Sequence, residues 1–285
     1  MSKQLERLNF FPEADAFFTA RYSYQRLNIE TPQQTLMTKE VNNYLNVVAL
    51  TYAHRLSRKM FIGVNGYLEE ASENGVKYGV PFRRRFNASG AREPEIFMLY
   101  RLRFQKEKRG MIDFFLSHSP TFGRRQVGVK EGNRYNGMPI LKTGLSHGLH
   151  EEDWEFKSAL SLNYFAKGEE WNGFTNSVYD LGAYKSIKFQ FSAQYQANEW
   201  LLPFGSVGVV YTGPEIIKEG QISREIQTGT GSVFEVGLKR PLGERSLVEV
   251  SFSLERYEYF VKSNIENLDG EVIEQQLSLA YKTAF

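Results

Sequence analysis

The chain has 285 residues, no cysteine and four histidines, so acid–base or nucleophilic chemistry rests on His54, His118, His147 and His150. A serine hydrolase working on a lipid-facing strand needs its serine and histidine on one face. Residues two apart on a strand share a face, and adjacent residues do not. Ser117-His118-Ser119 and Ser146-His147 are adjacent pairs, so each straddles the strand. The His-x-Ser spacing is missing, and His54 and His150 stand next to turn-like stretches. The expectation is that the chain is not an enzyme. No His, Asp or Glu spacing repeats on one strand face, so neither a metal site nor a cofactor is expected.

The other chemistry-bearing residues are charges at alternate positions along apolar stretches. Counted inward, they are Arg21, Arg101, Arg103, Asp113, Lys142, Lys157, Lys188, Glu235, Lys239, Glu249, Glu255, Glu274 and Lys282. Facing charges in a narrow pore set ion selectivity, and the same charges can pair and fill the pore instead. The bases Arg21, Arg101 and Arg103 come early in the chain and the acids Glu235, Glu249, Glu255 and Glu274 come late. That split would set a basic wall against an acidic one, with a transverse field between them. Two further basic runs, Arg83-Arg84-Arg85 and Arg124-Arg125, fall in expected loops. They suit contact with lipopolysaccharide phosphates or an inward fold as a constriction.

What must position these charges is a set of strands with period-two alternation. The clearest is the last: Leu277, Leu279, Tyr281, Thr283 and Phe285 alternate with Ser278, Ala280, Lys282 and Ala284, and the chain stops on the aromatic residue. Leu277, Leu279, Tyr281 and Phe285 fit the C-terminal signal read by the barrel-assembly machinery of the bacterial outer membrane. Upstream, similar stretches fall at about 15–26, 43–55, 60–69, 95–105, 112–117, 139–149, 156–164, 179–196, 200–212, 234–239 and 248–255. With the terminal strand they number about twelve. Short connections alternate with long ones (about 70–94, 119–137, 168–176 and 213–232), which puts both termini on the short-turn side.

The expected architecture is all-β: a transmembrane antiparallel up-and-down β-barrel over 15–285, preceded by a periplasmic lead-in over 1–14. The same alternation fits a soluble sandwich with one buried face. Lipid is favoured because the non-apolar face is rich in small residues such as Gly63, Gly144, Ser192, Gly237 and Ser251. Tyr24, Tyr52, Trp154, Tyr195, Trp200 and Tyr211 also stand near strand ends, where barrel girdles sit. The mean hydropathy of −0.43 is no objection, since a barrel has a polar interior. Twelve strands about 4.8 Å apart and tilted about 40° give a backbone radius of roughly 12 Å. That leaves room for small solutes or an extended chain. The net charge of +2 is too small to argue for nucleic acid. The opening Met1-Ser-Lys-Gln-Leu-Glu-Arg has no apolar signal region, so an export signal is expected to have preceded this stretch.

Two segments carry a resemblance. Tyr52-Ala-His-Arg-Leu-Ser-Arg-Lys-Met-Phe-Ile-Gly-Val64 resembles the strand–turn–strand of outer-membrane transporters grouped with the phenol-degradation meta pathway. Phe114-Phe-Leu-Ser-His-Ser-Pro-Thr-Phe-Gly123 resembles their strand ending in Pro-Thr-Gly. That group is similar in turn to the twelve-stranded barrel of the pseudomonad functional-amyloid secretion channel. The likeness covers about a fifth of the chain and departs from the pattern where Arg55 replaces a turn glycine and Phe122 interrupts Pro-Thr-Gly. It implies a passive or gated channel with no catalytic residues. Oligogalacturonate- and sialate-type porins share the strand number, but their basic lumens fit the mixed charges here less well. Together these features point to an outer-membrane channel passing small polar solutes or an unfolded polypeptide. The alternatives are a plugged barrel that anchors partner proteins and, further off, a lipid-modifying barrel enzyme. Its partners would be outer-membrane lipids, lipopolysaccharide and the assembly machinery, with the oligomeric state left open.

Overall fold

The computed structural model describes residues 14–30, 38–77, 80–105, 110–127, 135–172, 176–198, 200–219, 222–263 and 267–285. The expected lead-in over 1–14 falls almost wholly outside them. Among the described residues sixteen strands form one sheet: β1 (Ala16–Glu30), β2 (Thr38–Ser57), β3 (Met60–Lys77), β4 (Val80–Gln105), β5 (Gly110–Ser119), β6 (Arg125–Val127), β7 (Ile140–Glu151), β8 (Trp154–Phe165), β9 (Gly168–Asn172), β10 (Ser177–Leu181), β11 (Tyr184–Tyr195), β12 (Leu202–Thr212), β13 (Glu215–Glu219), β14 (Ile222–Pro241), β15 (Ser246–Ser263) and β16 (Asn267–Ala284). Twelve of them close a ring in the order β1-β2-β3-β4-β5-β7-β8-β11-β12-β14-β15-β16 and back to β1, every pairing antiparallel. The all-β, twelve-stranded barrel read from the alternation is therefore what the chain forms. Closure removes every edge from the ring, the condition for a sheet to cross hydrocarbon.

The seam is made by the two ends of the chain. β1 and β16 pair without a slip from Phe17 opposite Ala284 to Glu30 opposite Glu271. The terminal residue is part of this seam. The Phe285 amide donates to the Ala16 carbonyl at 2.8 Å, and the Phe285 carbonyl accepts from the Asp15 amide at 2.9 Å.

The two faces differ as period two requires. Leu145, Leu160, Phe189 and Val209 stand opposite one another across β7, β8, β11 and β12. They remain 48, 50, 47 and 51% exposed, although all four are large and apolar. An apolar belt this regular on a closed ring faces a solvent that is itself apolar. Leu277, Leu279, Tyr281 and Phe285 are exposed on the same face. Among the described residues, no helix is long and apolar enough to cross a membrane.

The long-loop side departs from the expected loops. The stretch 70–94 is mainly strand, because β3 and β4 continue upward as one hairpin and pair as far as Lys77 opposite Val80. Arg83, Arg84 and Arg85 thus lie within β4, with Arg83 opposite Asn74 and Arg84 opposite Glu73, and their side chains fall outside the described set. The stretch expected as one strand over 179–196 is two, β10 and β11, interrupted at Gly182-Ala183. β8 and β9 break likewise at Ala166-Lys167, and β12 and β13 at Gly213-Pro214, where proline cannot donate to the ladder. Beyond these breaks β14, β13, β10, β9 and β6 pair in that order, so the wall continues as a four-strand extension where loops were expected. Period two does not register the break at Gly182-Ala183, because alternation resumes on the far side with nearly the same phase.

Candidate functional site: the barrel lumen

Inside the ring, alternate residues converge on a cavity of about 450 Å³ at the short-turn rim, with Gly243 and Ser246 of the β14–β15 turn at its edge. Its walls are of two kinds. Phe17 on β1, Phe97 and Leu99 on β4, and Phe115 on β5 make an apolar wall. Behind it Ala53, Phe61, Phe97 and Leu99 form a buried cluster. The rings contact one another, with Phe17–Phe61 centroids 5.7 Å apart and Phe97–Phe115 centroids 6.4 Å apart. Inner residues of β2 and β12, among them Ala53 and Leu202, are likewise buried inside the barrel.

Two glycines keep these rings against the wall. A side chain at Gly63 would meet Cζ of Phe97 at 2.4 Å, and one at Gly237 would meet Cζ of Phe204 at 2.4 Å. Each ring therefore lies flat over a strand where a Cβ is missing, leaving the cavity open rather than crossed by aromatic side chains.

Charge occupies the other wall. Lys157 on β8, Lys239 on β14, Lys282 on β16 and Arg21 on β1 line it, with Glu155 among them. Lys282 Nζ lies 2.8 Å from Glu249 Oε2, and Arg21 Nη2 lies 3.7 Å from Glu249 Oε1. Lys239 Nζ donates to Gln194 Oε1 at 2.6 Å and stands 4.7 Å from the centroid of the Phe204 ring.

The remaining charges named from the sequence are placed as follows. Arg101 holds Asp113 on the adjacent strand through two bonds, Nε to Oδ1 at 2.8 Å and Nη2 to Oδ2 at 3.3 Å. Lys142 donates to Glu95 Oε2 at 3.1 Å. Glu95 also accepts from the Tyr67 hydroxyl at 2.8 Å and from Ser117 Oγ, so one carboxylate ties β3, β4, β5 and β7 together. Lys188 Nζ is 4.0 Å from Glu255, Glu235 accepts from Ser206 at 3.4 Å, and Glu274 stands opposite Glu255 in register.

The basic and acidic walls expected from chain order are not separate all the way round. Ring closure puts β1 beside β16 and one strand from β15, so Arg21 meets Glu249 along the wall rather than across the lumen. Arg101 is likewise neutralised next door by Asp113. The inward reading of Arg103 falls on a side chain outside the described residues. The backbone register slips there, with Arg101 opposite Asp113 and Arg103 opposite Ile112. A bulge adds one residue to one strand, and alternation does not carry through it.

The basic pair Arg124-Arg125 binds acidic neighbours in the strand extension. Arg124 contacts Glu169, and Arg125 Nε lies 2.5 Å from Glu170 Oε2. Arg125 Nη2 is also 3.8 Å from Glu215 on β13. The segment after β6 is anchored by Glu93, which is 0% exposed and accepts from the Asn136 amide at 2.8 and 3.1 Å. Sequence reasoning missed Glu93, Glu95, Tyr67 and the inward phenylalanines. Glu95 and Phe97 were legible as one face of the fourth strand, whereas the partners of Glu93, Thr121 and Asn136, lie 28 and 43 residues away.

Of the histidines, His54, His118 and His147 are exposed and His150 is half-buried. The register sets Ser158 opposite His147, a neighbour that spacing along the chain could not show. Among the described residues no group of three or more His, Cys, Asp or Glu could hold a metal ion.

Comparison with known proteins bears on the fold. No family model matches the chain, and no curated protein matches it in sequence. Among solved structures, it is similar to an outer-membrane channel from Pseudomonas putida F1, with a TM-score of 0.65 and 9% identity over 96% of this chain and 96% of that one. It is also similar to the transport unit of the autotransporter AIDA-I from Escherichia coli, with a TM-score of 0.59 and 9% identity over 98% of this chain and 92% of that one. The chain thus has the fold of outer-membrane β-barrels, of the kind the terminal strand first suggested.

Proposed function

We propose that this protein is a non-catalytic channel of the bacterial outer membrane, passing small polar solutes through its charged lumen. The observation that carries this reading is a closed ring with an apolar outer belt around a lumen cavity of about 450 Å³. A cavity of that size matches a small-molecule site, typically about 300–1,000 Å³, and is narrow for an unfolded polypeptide. The short-turn rim, with both termini, faces the periplasm in this reading, and the strand extension faces outward. Outer-membrane lipids bathe the belt, lipopolysaccharide meets the outer rim, and the C-terminal strand is the segment offered to the assembly machinery. Arg124 and Arg125 serve to hold the extension rather than to bind phosphate, since each has a carboxylate partner.

A second reading is a plugged barrel that anchors partner proteins. It is favoured by the Tyr67–Glu95–Lys142 network, which ties neighbouring strands through the lumen. Refolding the chain in detergent and adding it to a planar bilayer decides between them. Steady or gated single-channel conductance is the expected result. Insertion with heat-modifiable migration but no conductance would favour the plugged barrel.

A further inference from the structure

The short-turn cavity has a two-sided chemistry that general permeability to polar solutes does not require. The lining bases are Arg21, Lys157, Lys239, Arg245 and Lys282, against the carboxylates of Glu155 and Glu244. Glu249, bonded to Lys282 and Arg21, is a third acid, which leaves the chamber with an excess of two positive charges. Facing this is hydrocarbon. β14, which carries Lys239, lies six strands round the twelve-strand ring from β4, which carries Phe97 and Leu99. Lys239 and the Phe97–Leu99 part of the apolar wall therefore stand on opposite strands of the ring.

A further observation points to an occupant. Gln194 is 6% exposed and lines the cavity. Its Oε1 accepts from Lys239, and its Nε2 has no hydrogen-bond partner among the described residues. A buried donor without an acceptor is unfavourable, and an acceptor held in the adjoining chamber relieves it.

We infer that the chamber binds an organic monoanion with an apolar body. The carboxylate is received by Lys239, Gln194 and Lys282, and the body lies against Phe97, Phe115 and Phe17. An inorganic anion would leave the phenylalanine wall wet, and a neutral hydrocarbon would bury the lysines without a counter-charge. As a statement about what passes through the barrel this rests on the channel reading. As a statement about a binding site it does not.

The test uses the full chain in lipid nanodiscs, with empty nanodiscs as the reference for partitioning, and three probes followed by titration calorimetry: 3-phenylpropanoate, acetate and 3-phenylpropan-1-ol. The first is expected to bind about tenfold or more tighter than either of the others, since each tenfold corresponds to about 1.4 kcal/mol. Lys239→Met should weaken phenylpropanoate about tenfold through loss of a charge-assisted bond and leave the alcohol unchanged. Phe115→Ala should weaken phenylpropanoate and leave acetate unchanged. Heat-modifiable migration checks the fold of each variant, and Lys282→Gln substitutes for any that fails it. Acetate binding as tightly as phenylpropanoate would reduce the chamber to a plain anion site and overturn the inference. So would equal binding of the alcohol, or no binding at all. Conductance without binding overturns this inference alone, and binding without conductance upholds the chamber while removing the channel.

Discussion

The two faces of the same strands obey different rules. Along β8 the outward residues Leu160 and Leu162 sit in the same row as Phe189 and Ile187 of β11. Nothing about them is specific except that they are apolar. On the inward face of the same strand, Glu155 and Lys157 share a chamber with Lys239 of β14 and Lys282 of β16, and each neighbour matters. Hydrocarbon asks only for low polarity, whereas a small wet lumen asks for matched charges and shapes. The outer face should therefore tolerate any apolar exchange and reject charge, and the inner face should do the reverse.

The largest effect should come from breaking the outer rule. Leu160→Arg is expected to cost about 2–4 kcal/mol of folding free energy in bilayers, the range for arginine near the midplane of a barrel's lipid face. Gln190→Arg on the inner face of β11 should cost about 1 kcal/mol, mainly its hydrogen bond to Ser206. Reversible urea titration into lipid vesicles measures both, and equal costs would abolish the distinction between the faces.

Next in size is the shape of the lumen. Gly63→Val forces the Phe97 ring off the wall, an overpacking worth about 1–3 kcal/mol, and should lower single-channel conductance sharply. The double variant Gly63→Val with Phe97→Ala should recover conductance. If the single variant conducts like the parent protein, the flat ring has no part in keeping the path open.

Charge effects inside the lumen should separate paired from poorly balanced groups. Lys239→Glu should shift the reversal potential toward cations, because Lys239 is held by a neutral amide. Exchanging Arg101→Asp together with Asp113→Arg should leave it nearly unchanged, since that pair is already neutral locally. A large shift from the exchange would mean that the path senses the two charges separately.

The most local effect lies on the long-loop side. Glu93→Gln turns the charge-assisted bond that the Asn136 amide donates, worth about 1.5–3 kcal/mol, into a neutral one worth about 1 kcal/mol. It should speed hydrogen exchange at Asn136 while leaving barrel migration intact. Unchanged exchange would show that the 135–139 segment is held by something else.

By itself the sequence determined the lipid face, the strand number and the seam. These follow from period two and from the sign of hydropathy, both local properties of a strand, and Leu277, Leu279, Tyr281 and Phe285 display them within nine residues. Part of the lumen was legible the same way: Arg21, Asp113, Lys157 and Lys239 were assigned inward from alternation alone. Which charges meet was decided only by tertiary structure. Closing the ring brought Arg21 to Glu249, 228 positions away in the chain, and set Lys239 across from Phe97. The bulge at Arg103 and the interruption at 182–183 were likewise set by pairing with neighbouring strands, and alternation carries no record of them.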